Sequence, residues 1–173
     1  PATLGAGDSD RSLTLALDAL KILEASEVSE MELALGKNNV AYALMAKGKV
    51  DEALRILKEA FVLVQKSEHT GPNLVLISHN LGTVYSQKRQ FENARRYFNI
   101  SLENGKKLAP LGSIEAVTTL THLADIEEEL FENEKELKYR EEATNIIKRL
   151  LLTNRSDLDG SYNRTFGKSF RNK

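Results

Sequence analysis

Residues 79–98 read HNLGTVYSQKRQFENARRYF, and within them Leu81-Gly82, Tyr85, Ala94 and Phe98 are spaced as two short helices joined by a tight turn. The polar run Lys88-Arg89-Gln90 ends the first apolar stripe, and Glu92 opens the second. Cations at a helix C-terminus and anions at an N-terminus both complement the peptide dipoles. Moving back by 41 residues finds the same hairpin again. Asn39-Val40-Ala41, Leu44, Ala53, Leu57 and Ala60 match Asn80-Leu81-Gly82, Tyr85, Ala94, Phe98 and Ser101, with Lys47-Gly48-Lys49 and Asp51-Glu52 at the turn. A weaker third copy follows at about 42 residues, with His122-Leu123-Ala124 and Ala143. Repetition at this period marks stacked supersecondary units, none of which can bury its apolar face alone.

The small residues explain how the units fit. Ala41, Gly82 and Ala124 on first helices, and Ala53, Ala60 and Ala94 on second helices, let backbones approach closely. A large residue there forces the helices apart, at a typical cost of about 1–3 kcal/mol. Pro72 after Thr70-Gly71, and Pro110 before Gly112-Ser113, fall between hairpins, where a helix start tolerates proline. Together these signals predict helices near 11–26, 30–47, 51–67, 73–88, 92–108, 113–131 and 134–152. Shifting the first of these by 41 residues puts Asp10 on Asp51, Leu13 on Leu54, Leu15 on Ile56 and Ala19 on Ala60. It therefore reads as the second helix of a hairpin whose first helix is missing, although Ser12 falls on Ala53 and Ala16 on Leu57.

Leu81-Gly82, Tyr85 and the Ala94-x3-Phe98 spacing resemble the tetratricopeptide signature. The period of 41 to 42 residues departs from the usual 34 and is similar to that of kinesin light chains, whose first helices carry a run like Asn38-Asn39-Val40-Ala41 and His79-Asn80-Leu81-Gly82. The resemblance covers residues 10–152 as a pattern and is specific for 37–102. It implies an all-α fold, a right-handed α-solenoid of antiparallel helix hairpins, with about three full repeats plus an extra N-terminal helix. On this reading 1–9 is a disordered N-terminal segment, 10–152 the repeat domain and 153–173 a basic aromatic tail that is disordered or docks. In the third repeat Glu127, Glu136 and Arg140 stand where the family places Tyr, Ala and an apolar aromatic. That hairpin is expected to be splayed, capped by the tail or differently registered.

The same resemblance implies a concave groove lined by one stripe of each first helix. Its residues would be Leu35, Asn38, Asn39, Tyr42 and Met45, then Leu76, His79, Asn80, Thr83 and Gln87, then Thr118, Thr121, His122, Asp125 and Glu129. Asn39, Asn80 and His122 would form a central ladder, each amide offering a donor and an acceptor to the main chain of an extended peptide. A polar stripe on a helix is also what a solvated surface looks like, and repetition at the helix-pair period favours the groove. A clamp for acidic chaperone tails would need Lys, Asn and Arg at places that here hold Asn38, Tyr42, Asn80, Thr118 and His122, and only Asn80 matches.

Composition excludes several classes of function. Lys and Arg total 24 against 25 Asp and Glu, so no overall field draws the chain to nucleic acid or an anionic membrane. There is no cysteine, hence no disulfide framework and no thiol nucleophile. His79 and His122 lack metal-ligand spacing, and no Gly-rich phosphate loop or activated nucleophile stands out, so the chain is read as non-catalytic, with no cofactor, metal or small-molecule substrate. No apolar run is long enough to cross a bilayer. The glutamate-rich stretch 125–142 reads as a solvated hairpin surface, or else as an acidic patch for a basic segment. In the tail Tyr162, Phe166 and Phe170 recur every four residues among Arg155, Arg164, Lys168, Arg171 and Lys173, a spacing that would form one face of a short helix.

These features predict a protein-protein interaction scaffold or adaptor that binds a protein or peptide partner in the groove. The alternative is an assembly factor or chaperone-like protein that holds subunits of a larger complex. The expected location is the cytoplasm, or the mitochondrion if a targeting peptide has been removed. Self-association through exposed solenoid ends is a further expectation.

Overall fold

The computed structural model describes residues 4–66, 71–110 and 112–166, with side chains described from Asp8 to Thr153. Among the described residues there are seven helices: α1 Leu4–Glu24, α2 Glu30–Ala46, α3 Val50–Lys66, α4 Gly71–Gln87, α5 Phe91–Leu108, α6 Ile114–Glu129 and α7 Asn133–Phe166. Five of them follow the sequence-based spans closely. Helix α1 begins at Leu4, inside the segment 1–9 expected to be irregular, and α7 runs past the end expected at 152. Both extensions follow from helix cooperativity, since a formed helix adds residues at little cost where no proline intervenes. The tail residues Tyr162, Phe166 and Phe170 lie outside the described side chains.

Three hairpin turns share one construction. The Lys49 N–H donates to the Leu44 carbonyl at 2.9 Å, Gln90 to Tyr85 at 2.9 Å, and Glu132 to Glu127 at 2.8 Å. Inside each lies a second bond, from Gly48 to Met45, Arg89 to Ser86 and Phe131 to Glu128. This is the Schellman arrangement, which satisfies carbonyls left without partners at a helix end. It needs a left-handed residue, and φ is 71° at Gly48, 54° at Arg89 and 58° at Phe131. Helix starts are capped too. Ser29 and Glu32 form a reciprocal capping box on α2, and the Ser113 hydroxyl accepts from the Ala116 N–H on α6.

The chain divides into two compact units, Pro1–Leu108 and Ala109–Lys173. In the first, α2 pairs with α3 and α4 with α5, while α1 lies on α2 and α3 lies against α4. The core runs along the second helices, with Ala53, Ile56, Leu57, Ala60 and Val64 on α3 and Ala94, Phe98, Ser101 and Leu102 on α5. Gly82 allows α4 and α5 to approach closely. A Cβ there would meet the Phe98 ring at 2.6 Å. Gly36 plays the same part between α1 and α2, where a Cβ would meet Leu23 Cδ1 at 2.6 Å. Salt bridges tie each second helix to the next first helix, Asp10 to Lys47 and Asp51 to Lys88. Those two pairs repeat at 41 residues, which places α1 on α2 as α3 sits on α4.

In the second unit α6 and α7 form one hairpin. Its buried residues are Ala116, Thr119, Leu120, Leu123, Ala124, Ile126 and Glu127 on α6 and Ala143 and Ile146 on α7. The hairpin keeps the register of about 42 residues at its turn and at Ala143, the place of Ser101, and departs from it in residue type at the place of Phe98. Arg140 takes the place of Phe98 and turns outward to Glu136 at 2.7 Å, Glu128 at 2.9 Å and Asp125 at 3.4 Å. The apolar anchors instead lie further along α7, where Ile146 packs on Gly112, whose Cβ would come within 2.6 Å of it.

Candidate functional site: the first-helix face

Within the first unit, α2 and α4 are neighbouring first helices whose shared wall carries most of the groove residues named above. At its centre Asn80 Nδ2 donates to Asn38 Oδ1 at 2.8 Å. Both amides are buried, 4 % exposed at Asn38 and 8 % at Asn80. Of the expected ladder, Asn80 thus spends its amide on Asn38, the neighbour of its repeat equivalent Asn39. Asn39 is exposed.

Around that pair the wall is amphipathic. Tyr42 is 66 % exposed and Leu76 42 % exposed, while Leu35 and Met45 are half-buried and Gln87 is exposed. Large apolar side chains open to solvent beside fixed polar groups are what a binding surface requires and a core does not. His79 is half-buried and stands edge-on to Phe98, ring centroids 5.3 Å apart. Thr83 donates its hydroxyl to the His79 carbonyl at 3.1 Å, which leaves its oxygen as an acceptor. Behind the wall, Lys37 bridges to Glu59 at 2.8 Å and Glu24 at 3.8 Å, linking α2 to α3 and α1. Lys37 was not singled out from the sequence, where nothing distinguishes it from a solvated lysine.

In the second unit, the face of α6 carries exposed Thr121, Asp125, Thr118 and Glu129, with His122 half-buried among them. Thr118 and Thr121 donate to the Ile114 and Val117 carbonyls at 3.0 Å each. Burial pushes the His122 imidazolium below its ordinary pKa, and the Asp125 carboxylate opposes that shift. At neutral pH the ring is an uncharged donor and acceptor. Asp125 in turn lies within reach of Arg140 at 3.4 Å.

Among the described residues no helix is long and apolar enough to cross a membrane, and no cluster of three His, Asp or Glu side chains could hold a metal ion. Residues 32–107 match the family model of the tetratricopeptide repeat. Solved structures share the fold. BtubC (BKLC) from P. vanneervenii superposes with a TM-score of 0.72 at 20 % identity, over 81 % of this chain and 56 % of that one. The kinesin light chain TPR-like repeats of Podosopora anserina give 0.64 at 16 % identity, over 87 % of this chain and 69 % of theirs. This chain thus spans little more than half the length of BtubC. No curated protein matches it by sequence. The fold is an all-α helical-repeat solenoid, shared with these solved structures, and residues 32–107 within it match the tetratricopeptide repeat.

Proposed function

We propose that this chain, which carries tetratricopeptide repeats over residues 32–107, is a non-catalytic scaffold or adaptor that holds a segment of a partner protein on the α2–α4 face. The observation that carries this reading is the exposure of Tyr42 and Leu76 on the same pair of helices that fixes Asn38 and Asn80. A held amide pair costs little ordering on binding, and aromatic and aliphatic anchors supply the area that hydrogen bonds alone do not.

A hydrogen bond to the partner main chain contributes about 0.5–1.5 kcal/mol net, so the polar rungs orient the segment more than they hold it. Burying the anchors adds roughly 1.5–3 kcal/mol each, which together points to a dissociation constant on the order of micromolar. Asn39, Gln87 and the Thr83 oxygen are the groups free of a buried role that could read the partner's backbone.

The test is affinity capture with mass spectrometry from the source cells, comparing the native chain with Tyr42→Ala plus Leu76→Ala at matched helicity by circular dichroism. A partner lost only from the double variant supports this face as the site. An unchanged set of partners removes it from consideration.

A further inference from the structure

Helix α4 runs for 17 residues without one Asp, Glu, Lys or Arg, in a chain of which 28 % is charged. The second helices packed against it do not share this. Helix α3 carries Asp51, Glu52, Arg55, Lys58, Glu59 and Lys66 in the same length, and α5 is as richly charged. Burial does not account for the difference, because α4 leaves Leu76 and Gln87 exposed and His79 and Thr83 half-buried. A helix position open to water usually takes Glu or Lys, which favour the helix over Thr, His or Asn.

Helix α2 repeats the pattern on the wall it shares with α4. Over residues 33–46 its one charged side chain is Lys37, held behind the wall by Glu59 at 2.8 Å and Glu24 at 3.8 Å. Asn39 and Tyr42, which are exposed there, are both neutral. Glu32 lies before that stretch and is engaged in the capping box with Ser29. At the other end Lys47 pairs with Asp10 and Lys88 with Asp51, so these turn cations are directed to α1 and α3. Charge is thus kept to the rim and the back. A wall that is merely solvated gains nothing by excluding it. A wall that is covered does gain, since a charge placed under a partner loses its water and recovers that loss only from an opposite charge. The same reasoning applies to the partner, whose own charges would find no counter-charge here.

We propose that the α2–α4 face takes an uncharged segment of a partner protein, with apolar side chains for Leu76 and Tyr42 and no Asp, Glu, Lys or Arg in the covered stretch. This inference rests on the reading of that face as the binding site and adds the chemistry of its occupant. The chain's own tail does not meet that description, because between 153 and 173 no uncharged run is longer than residues 160–163.

The probe is a library of random peptides displayed on phage and selected on the full chain, with Tyr42→Ala plus Leu76→Ala as the counter-selecting variant. Peptides that bind the native chain and not the variant are expected to share a stretch free of Asp, Glu, Lys and Arg. Synthetic copies should change affinity by less than about twofold between low and high salt, since no screened charge pair holds them. One Asp or Lys placed in the shared stretch should weaken binding about tenfold. In the chain, Thr83→Lys should draw Asp or Glu into the selected stretch. Face-dependent peptides with a fixed charge, and affinity that falls steeply with salt, leave the face standing and overturn the neutral partner. If every selected peptide binds the variant equally well, the face itself is removed and the proposal with it, and a library that yields no binder does the same. Saturation of the face by a peptide copying residues 153–173 also overturns it.

Discussion

Helices α4 and α5 meet over Gly82 and Phe98, whereas α6 and α7 carry Ala124 and Arg140 at the matching places and gather their apolar anchors further along, at Ala143 and Ile146. Yet both hairpins end their first helix with the same pair of hydrogen bonds and a left-handed residue, Arg89 in one and Phe131 in the other. The turn is a local object, specified by a few backbone groups, so it survives a change of core. The interface depends on side-chain volumes from two helices at once, and it can be rebuilt from different material. In the second unit the rebuilt part is ionic on its outer side and buries Glu127 within.

The comparison is broken most severely at the knob. Phe98→Ala is expected to destabilise the first unit by about 3–5 kcal/mol, from lost burial and the cavity left behind. Urea unfolding, with hydrogen exchange to locate the loss, measures this. Asn80→Ala comes next, at about 1–3 kcal/mol, because it strands the buried Asn38 oxygen. A double-mutant cycle with Asn38→Ala should return a favourable coupling, and strictly additive losses would show that the pair is not formed.

Smaller effects sharpen the contrast. Arg140→Ala, at the place of Phe98, should cost no more than about 1 kcal/mol, since its carboxylate partners are largely solvated. Arg89→Gly and Phe131→Gly should each raise the stability read from urea unfolding by roughly 0.5–1 kcal/mol, because a left-handed backbone strains a residue with a Cβ. Equal gains in the two units would confirm that the turns are interchangeable. The smallest effect is one of pH. His122 has a lowered pKa in the folded chain, so the unfolded chain takes up the proton first as pH falls through about 6.5. Its stability is full above that value and declines below it. Melting temperatures from pH 7.5 to 5.5 should therefore fall less in His122→Gln than in the native chain.

Much of this architecture was legible because the period is carried by residue types with one purpose each. Gly82 and Phe98, Gly48 and the Lys and Asp residues at the turns named the hairpins and even the identity of α1. What stayed hidden depends on distances between helices. A period of 41 residues aligns Asn39 with Asn80, but the contact joins Asn80 to Asn38, and no sequence shift reports the stagger of two packed helices. Gly36 likewise looks like an ordinary interior glycine until α1 is seen lying on it. The third hairpin was unreadable at Arg140 for a related reason, since its value there comes from three carboxylates on two helices.

The salt bridges from Asp10 to Lys47 and from Asp51 to Lys88 carry a mechanical consequence for the first unit. Each ties a helix to one that follows within a single period, and the packed pairs are nearly all successive helices. Among the described residues such an array has no distant clasp to share a load. Stretched by its two ends in an optical trap, the first unit is expected to lengthen in separate steps of one hairpin each, at low force, and to recoil through the same steps when released.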